Sequence, residues 1–310
     1  MAPVGAEDGL GVQPHAGFWG PKSSTLDWCE RNYATTTYIA EFWNTVSNIV
    51  FIIPPLFGIA FAWRDRVDLR FILSYIGVIF IGIGSISFHL TLHIFSQMLD
   101  EISMLWATSF FLYCMMETRS KPRSTNAGLI QVLYLYNTLA SLAHFVMQEP
   151  LFFQVAFGTL TVLMLARGCY IAMNQDCCRY LVWYPVVLYV IAFALWNIDN
   201  LCCEHVQWLR DSLPSPLAGF TQLHAWWHVL VGIACHAQIQ FSCHSRNTFL
   251  KRDCTVWTWC GFLPFLKIHD KEQPSQTDVS KQPQNRTEDG ANCNITHKVS
   301  TEGGALQRSH

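Results

Sequence analysis

Charge is scarce in this chain. Asp, Glu, Lys and Arg make up 14% of its 310 residues, where a soluble domain averages about 25%. So few charges cover a soluble surface of this size poorly, which argues against a cytosolic globular enzyme and against a disordered chain. The net charge of −2 leaves no basic footprint for nucleic acid. Twelve cysteines are too sparse for a small disulfide-built scaffold. The basic flank and apolar run of a cleavable signal peptide are missing from the N-terminus, and no internal repeat is present.

Long apolar runs are what the chain has instead. Hydrophobic residues reach 51% and the mean hydropathy is +0.21. A bilayer-spanning helix needs about 20 mostly apolar residues. Seven stretches qualify, near 43–63, 71–92, 99–117, 127–147, 152–173, 181–203 and 219–243. The expected fold is an all-α membrane protein, a seven-transmembrane helix bundle. Pro54, Pro55 and Pro185 fall inside spans, where neighbouring groups can re-satisfy the freed carbonyls. Residues 254–266 are apolar but too short to span and are expected at the interface. From about 267 the chain is polar and is read as disordered.

Orientation follows from the Lys/Arg bias of short loops. Arg64, Arg66, Arg70, Arg119, Lys121, Arg123 and Arg179 fall on one side; Arg210 alone falls on the other. The basic side is read as cytosolic, giving a luminal N-terminus and a cytosolic C-terminus. Three parts follow: a luminal segment 1–42, a seven-span unit 43–243, and a cytosolic tail 244–310. Cys29, Cys202 and Cys203 then lie where disulfides persist, with Cys29 pairing either neighbour. Cys177, Cys178, Cys243, Cys254 and Cys260 lie toward the cytosol and are expected reduced.

Ionisable residues inside a membrane are costly and mark function by default. His89 lies near the end of the second span, Asp100 begins the third, and His224 and His228 open the seventh. In an antiparallel bundle these ends share one face, here the luminal one. His224 and His228, four apart, project from one side of a helix, and His89 can add a third nitrogen. Three histidines with one open position are the pattern of a catalytic zinc site. Asp100 is placed to take a proton from water, and Ser85, one turn before His89, to hydrogen-bond an oxyanion. Helix-to-helix hydrogen bonding is the plainer reading of a His pair alone. His144 and His236 read as packing or interfacial residues, and His93 as a loop residue. Asp27, Glu30, Asn32 and Glu41 offer hard oxygens of the kind calcium takes, without the spacing of an EF-hand. Asp199 is read as an anchor of a hydrogen-bond network.

The runs Ser24–Glu30, Tyr38–Thr45, Gly84–Ser85 through Phe88–Leu92, Gln97–Glu101, Trp196–Asn200 and His224–His228 resemble the alkaline ceramidases over roughly residues 18–266. The resemblance implies a seven-helix intramembrane zinc amidase that splits ceramide-type lipids into a sphingoid base and a fatty acid. It implies zinc on His89, His224 and His228, with Ser85 and Asp100 catalytic. It implies calcium on Asp27, the Trp28 carbonyl, Glu30, Asn32 and Glu41, and a Cys29–Cys203 disulfide. Endoplasmic reticulum and Golgi membranes are the implied location. His93 stands where close relatives carry Lys, and the polar stretch after 267 is longer. A seven-helix signalling receptor and an ion or proton transporter are the alternatives from other classes; the short loops argue against the first, and the lack of a repeat against the second.

Overall fold

The computed structural model describes residues 17–175, 177–269 and 295–298. Ten α-helices and three strands occur among them. The first long segment is broken: α1 (Phe42–Ser47), a 3₁₀ turn (Asn48–Phe51), then α2 (Ile53–Arg64). Pro54 and Pro55 fall in the first turn of α2, where a missing N–H costs nothing because that donor has no intrahelical partner. The prolines therefore restart the helix rather than sit inside it. Then follow α3 (Leu69–Thr91), α4 (Ile94–Met116), α5 (Ala127–Met147), α6 (Pro150–Asn174) and α7 (Arg179–Leu201). Two short helices, α8 (Cys203–Ser212) and α9 (Ser215–Ala218), lead into the long α10 (Leu223–Phe249).

The seven long segments coincide with the seven apolar stretches to within a few residues. Five of them are long and apolar enough to cross a membrane: 42–64, α3, α5, α6 and α7. Their windows bury only 17–56% of residues inside the protein, so much of their apolar surface faces outward, as lipid contact requires. The other two, α4 and α10, are 23 and 27 residues long but more polar. Their polarity is turned inward. From Gly232 to Asn247 α10 is buried on every side, and several of its polar side chains find partners. Gln240 donates to the Tyr75 hydroxyl (2.6 Å) and accepts from the Leu266 N–H (2.9 Å). His236 pairs with the Pro264 carbonyl (2.8 Å).

Residues 254–266 do not lie flat at an interface. They form an antiparallel hairpin of β1 (Asp253–Trp259) and β2 (Leu263–His269), whose turn residues Cys260 and Gly261 both have positive φ. Leu263 and Phe265 pack against Ile233 of α10. The hairpin is apolar on both faces because one, with Trp257 opposite Phe265, joins that cluster and the other puts Val256 and Leu266 into the main core. Within the tail read as disordered, β2 runs to His269 and β3 (Ile295–Lys298) pairs parallel with β1; the rest of that tail lies outside the described residues. Cys178, expected reduced, is disulfide-bonded.

The connection from α3 to α4 is two residues, with Leu92 in the left-handed region (φ 52°) and His93 as N-cap. So tight a turn makes the helices antiparallel neighbours and brings His89 and Asp100 to one end. Segment 17–41 folds over that end. The last carbonyls of a helix have no intrahelical partner; here Glu41 N–H donates to His89 O (2.9 Å), Ala40 N–H to Leu90 O (3.1 Å), and Ser23 and Ser24 N–H to Leu92 O (3.1 and 3.0 Å). A Cys29–Cys203 disulfide ties the segment to α8. Asp199 accepts from the Cys29 N–H (3.1 Å) and Arg210 donates to the Cys29 carbonyl (2.9 Å), so Asp199 does anchor a network.

Candidate metal centre

Under this cap, His89 of α3 and His224 and His228 of α10 converge. All three are buried, and their ligand nitrogens lie within 4.8 Å of one another. It is the one such His/Cys/Asp/Glu cluster among the described residues. The i, i+4 spacing on α10 stacks two imidazoles on one face, and the tight α3–α4 turn delivers the third.

The outer hydrogen bonds prepare these rings as ligands. His89 Nδ1 meets Glu41 Oε2 at 2.5 Å. Once Glu41 is ionised, which burial defers to about 8, the carboxylate only accepts, so Nδ1 carries the proton and Nε2 keeps its lone pair. Ser47 Oγ donates its proton to Asn44 O (3.0 Å) and therefore accepts from His228 Nδ1 (2.8 Å). That again leaves Nε2 bare, 3.4 Å from Ser85 Oγ. His224 is sandwiched between Trp28, 3.8 Å away and nearly parallel, and Trp227. Its Nδ1 is buried without a hydrogen-bond partner, and so is Oδ1 of Asp100. Buried orphan atoms are costly, and an imidazole trio with an unpartnered carboxylate oxygen at the same end of the bundle fits a metal with a water or substrate next to it.

Gly84 sets the distance between α3 and α4 here. A Cβ on it would lie 2.9 Å from Asp100 Cα and 3.0 Å from Leu99 O, so backbone would have to move. Gly84→Ala is expected to push Asp100 away from Ser85 and lower kcat about a hundredfold, the scale of a 1 Å misplacement, with metal content retained. Turnover and metal analysis on the purified variant check this; unchanged turnover would show that the close approach is not needed.

A profile described as Ceramidase matches residues 20–267. Alkaline ceramidase 3 of Mus musculus is 40% identical over 258 residues, covering 83% of this chain and 97% of that protein. An alkaline ceramidase of Arabidopsis thaliana is 30% identical over 262 residues, 81% of this chain and 95% of that protein. Alkaline ceramidase 1 of Mus musculus is 29% identical, covering 81% and 93%. The chain belongs to the ceramidase family.

In this ceramidase-family hydrolase the expected calcium residues cluster around segment 27–41. Asp27 pairs with Lys22 (2.7 Å) and takes Asn32 Nδ2 (3.3 Å). Glu30 accepts the N–H groups of Trp43 and Asn44 (2.7 and 2.8 Å) at the start of α1. Glu41 accepts from the Trp28 N–H (3.3 Å) and Asn44 Nδ2 (3.0 Å). Burial pushes Glu30 up to about 7 and Glu41 up to about 8, against the lowering pull of those bonds. Two carboxyls desolvated this way favour a cation beside them, and the oxygen-only donor set has calcium's chemistry. A calcium ion there would take Asp27 from Lys22.

Sequence reasoning missed several supports. Glu41 was expected as a calcium ligand and in the structure also holds His89; Ser47 holds His228, and the Trp28 ring stacks on His224. These partners stand 48, 181 and 196 positions apart in the chain, so no local spacing announces them. His93 is not in the trio: its Nε2 meets the Trp19 carbonyl at 3.0 Å. His144, read as packing, binds Glu101 at 2.6 Å in a buried pair.

Proposed function

We propose that this protein is an intramembrane zinc-dependent amidohydrolase that cleaves ceramides to a sphingoid base and a free fatty acid, stimulated by calcium. The observation that carries this reading is the buried imidazole trio, with the unpartnered carboxylate oxygen of Asp100 at the same end of a bundle with lipid-facing helices. His89, His224 and His228 would hold zinc. When bound, zinc supplies Lewis-acid polarisation of a carbonyl and acidifies water. The protein's own groups do the rest. Asp100 removes a proton from the attacking water and returns it to the leaving amine nitrogen. Ser85 donates a hydrogen bond to the oxygen that gains charge. An amide needs both aids because its carbonyl is a weak electrophile and its amine a poor leaving group. A two-chain substrate reaches this site from the bilayer, with its chains between helices.

Asp27, the Trp28 carbonyl, Glu30, Asn32 and Glu41 would hold calcium, which keeps segment 27–41 clamped over the trio. The Lys/Arg bias supports seven spans with that segment luminal and the tail cytosolic, in endoplasmic reticulum and Golgi membranes. Family membership gives the receptor and transporter readings no support. Glu41→Gly is expected to cost about 10–100-fold in activity, the scale for losing a ligand's outer partner, and to flatten the calcium response together with it. Assays across a calcium series check the pair; activity lost with an intact calcium response would separate the two.

The deciding experiment is hydrolysis of a ceramide panel by purified full-length protein in detergent, beside His224→Ala. Release of both products by the parent alone supports the reading, and the panel ranks the substrates. No release from folded, zinc-loaded protein would overturn it.

A further inference from the structure

A cavity of about 490 Å³ opens between the start of α3, the second half of α4 and the start of α5. Its walls are apolar and aromatic: Leu73, Trp106, Phe110 and Tyr134, with Trp106 and Tyr134 packed edge to face (5.6 Å). Arg70 and Arg123 line it as well, Arg123 from the exposed surface. The cavity is not part of the metal centre. Arg70 precedes His89 by nineteen residues on α3, about 28 Å of helix at 1.5 Å per residue. On α4 its lining residues lie about a third of a turn round from Asp100, facing α5.

The charges around these arginines do not cancel. Asp68 is shared by Arg70 (3.1 Å) and Arg246 (3.2 Å). Arg70 also donates to the Glu117 carbonyl (3.3 Å), and the Glu117 side chain takes Asn126 Nδ2 (3.4 Å). Three guanidinium groups therefore meet two carboxylates. The spare charge falls on Arg123, which is exposed and makes no hydrogen bond or ion pair among the described residues. A volume of this size suits one small ligand. An apolar slot with one spare guanidinium at its rim matches a single alkyl chain with one negative charge.

We propose that this cavity binds a long-chain carboxylate, its chain against Leu73, Phe110 and Tyr134 and its head on Arg123 and Arg70. Guanidinium and carboxylate match as a two-pronged, charge-assisted pair, and a basic pocket between spanning helices at the positive side is a recurrent place for anionic lipid heads. Binding here is independent of the hydrolytic reading, because it requires neither metal nor turnover.

The test is photolabelling of full-length protein in neutral detergent with a diazirine-bearing palmitate, mapped by mass spectrometry. Label is expected within residues 106–113 and 130–137, and excess unlabelled palmitate should remove it. Arg123→Gln, which breaks no contact in the protein, should lower labelling of those peptides about tenfold while leaving label elsewhere unchanged. A diazirine analogue of hexadecanol, with the same chain and no charge, should label them about tenfold less. Equal labelling by the alcohol, or by the parent and Arg123→Gln, would overturn the proposal. So would competition by phosphatidylglycerol but not by palmitate, which would make the occupant a phospholipid. Leu73→Trp, which fills the slot from an outward-facing position, should abolish the label; survival of the label there places the lipid elsewhere.

Discussion

His224→Ala is expected to lose bound zinc and ceramide hydrolysis together. The proposed zinc rests on three imidazoles, the one such cluster among the described residues, so removing one leaves two donors where a catalytic zinc normally has three. His224 sits between Trp28 and Trp227, and alanine also opens a gap under the cap. Lewis-acid activation is worth several kcal/mol, so a loss of about a thousandfold or more is expected at 1.36 kcal/mol per tenfold. Metal analysis and product release on the same preparation give the answer. Full activity in protein that has lost its zinc would remove the metal from the reaction.

Asp100→Asn is expected to do the opposite to the metal and much the same to the rate. The carboxylate is no member of the trio, so zinc should stay. Proton transfer by a positioned side chain contributes about 10²–10⁴-fold, and an amide cannot replace it because it has no basic oxygen at working pH. The variant keeps the shape, and Gly84 still lets α4 approach, so loss without unfolding isolates the proton-transfer role. A rate within tenfold of the parent would assign the base elsewhere. Zinc loss in this variant would instead make Asp100 a holder of the site.

The helices were legible because each apolar run is long enough to register without any partner. The trio was legible because parity alone sends the end of an even span and the start of an odd span to one face, which needs no knowledge of packing. The two helices that fall short of the apolar criterion, α4 and α10, are the two that carry Asp100 and His224 with His228. Their polar side chains pull the average down, whereas α3, which bears His89 and Ser85, stays the most apolar of the five helices that meet the criterion. The hairpin at 253–269 stayed hidden because it is apolar on both faces, and alternation is the signal by which a strand is read. The outer partners of the histidines stayed hidden because burial and hydrogen bonding between distant segments leave no periodic trace.

The order of synthesis follows from where the cap is fastened. Cys29 emerges from the ribosome 174 residues before its partner Cys203. At about 5–20 residues per second that interval is roughly 10–35 s, and the two α10 histidines come later still. Until then the lid is held by its hydrogen bonds to the end of α3 without the disulfide, and one imidazole out of three is present. With the trio as proposed, the hydrolase gains its full ligand set only when α10 arrives, so a truncated or stalled product is expected to be harmless to the lipids of the membrane that is receiving it.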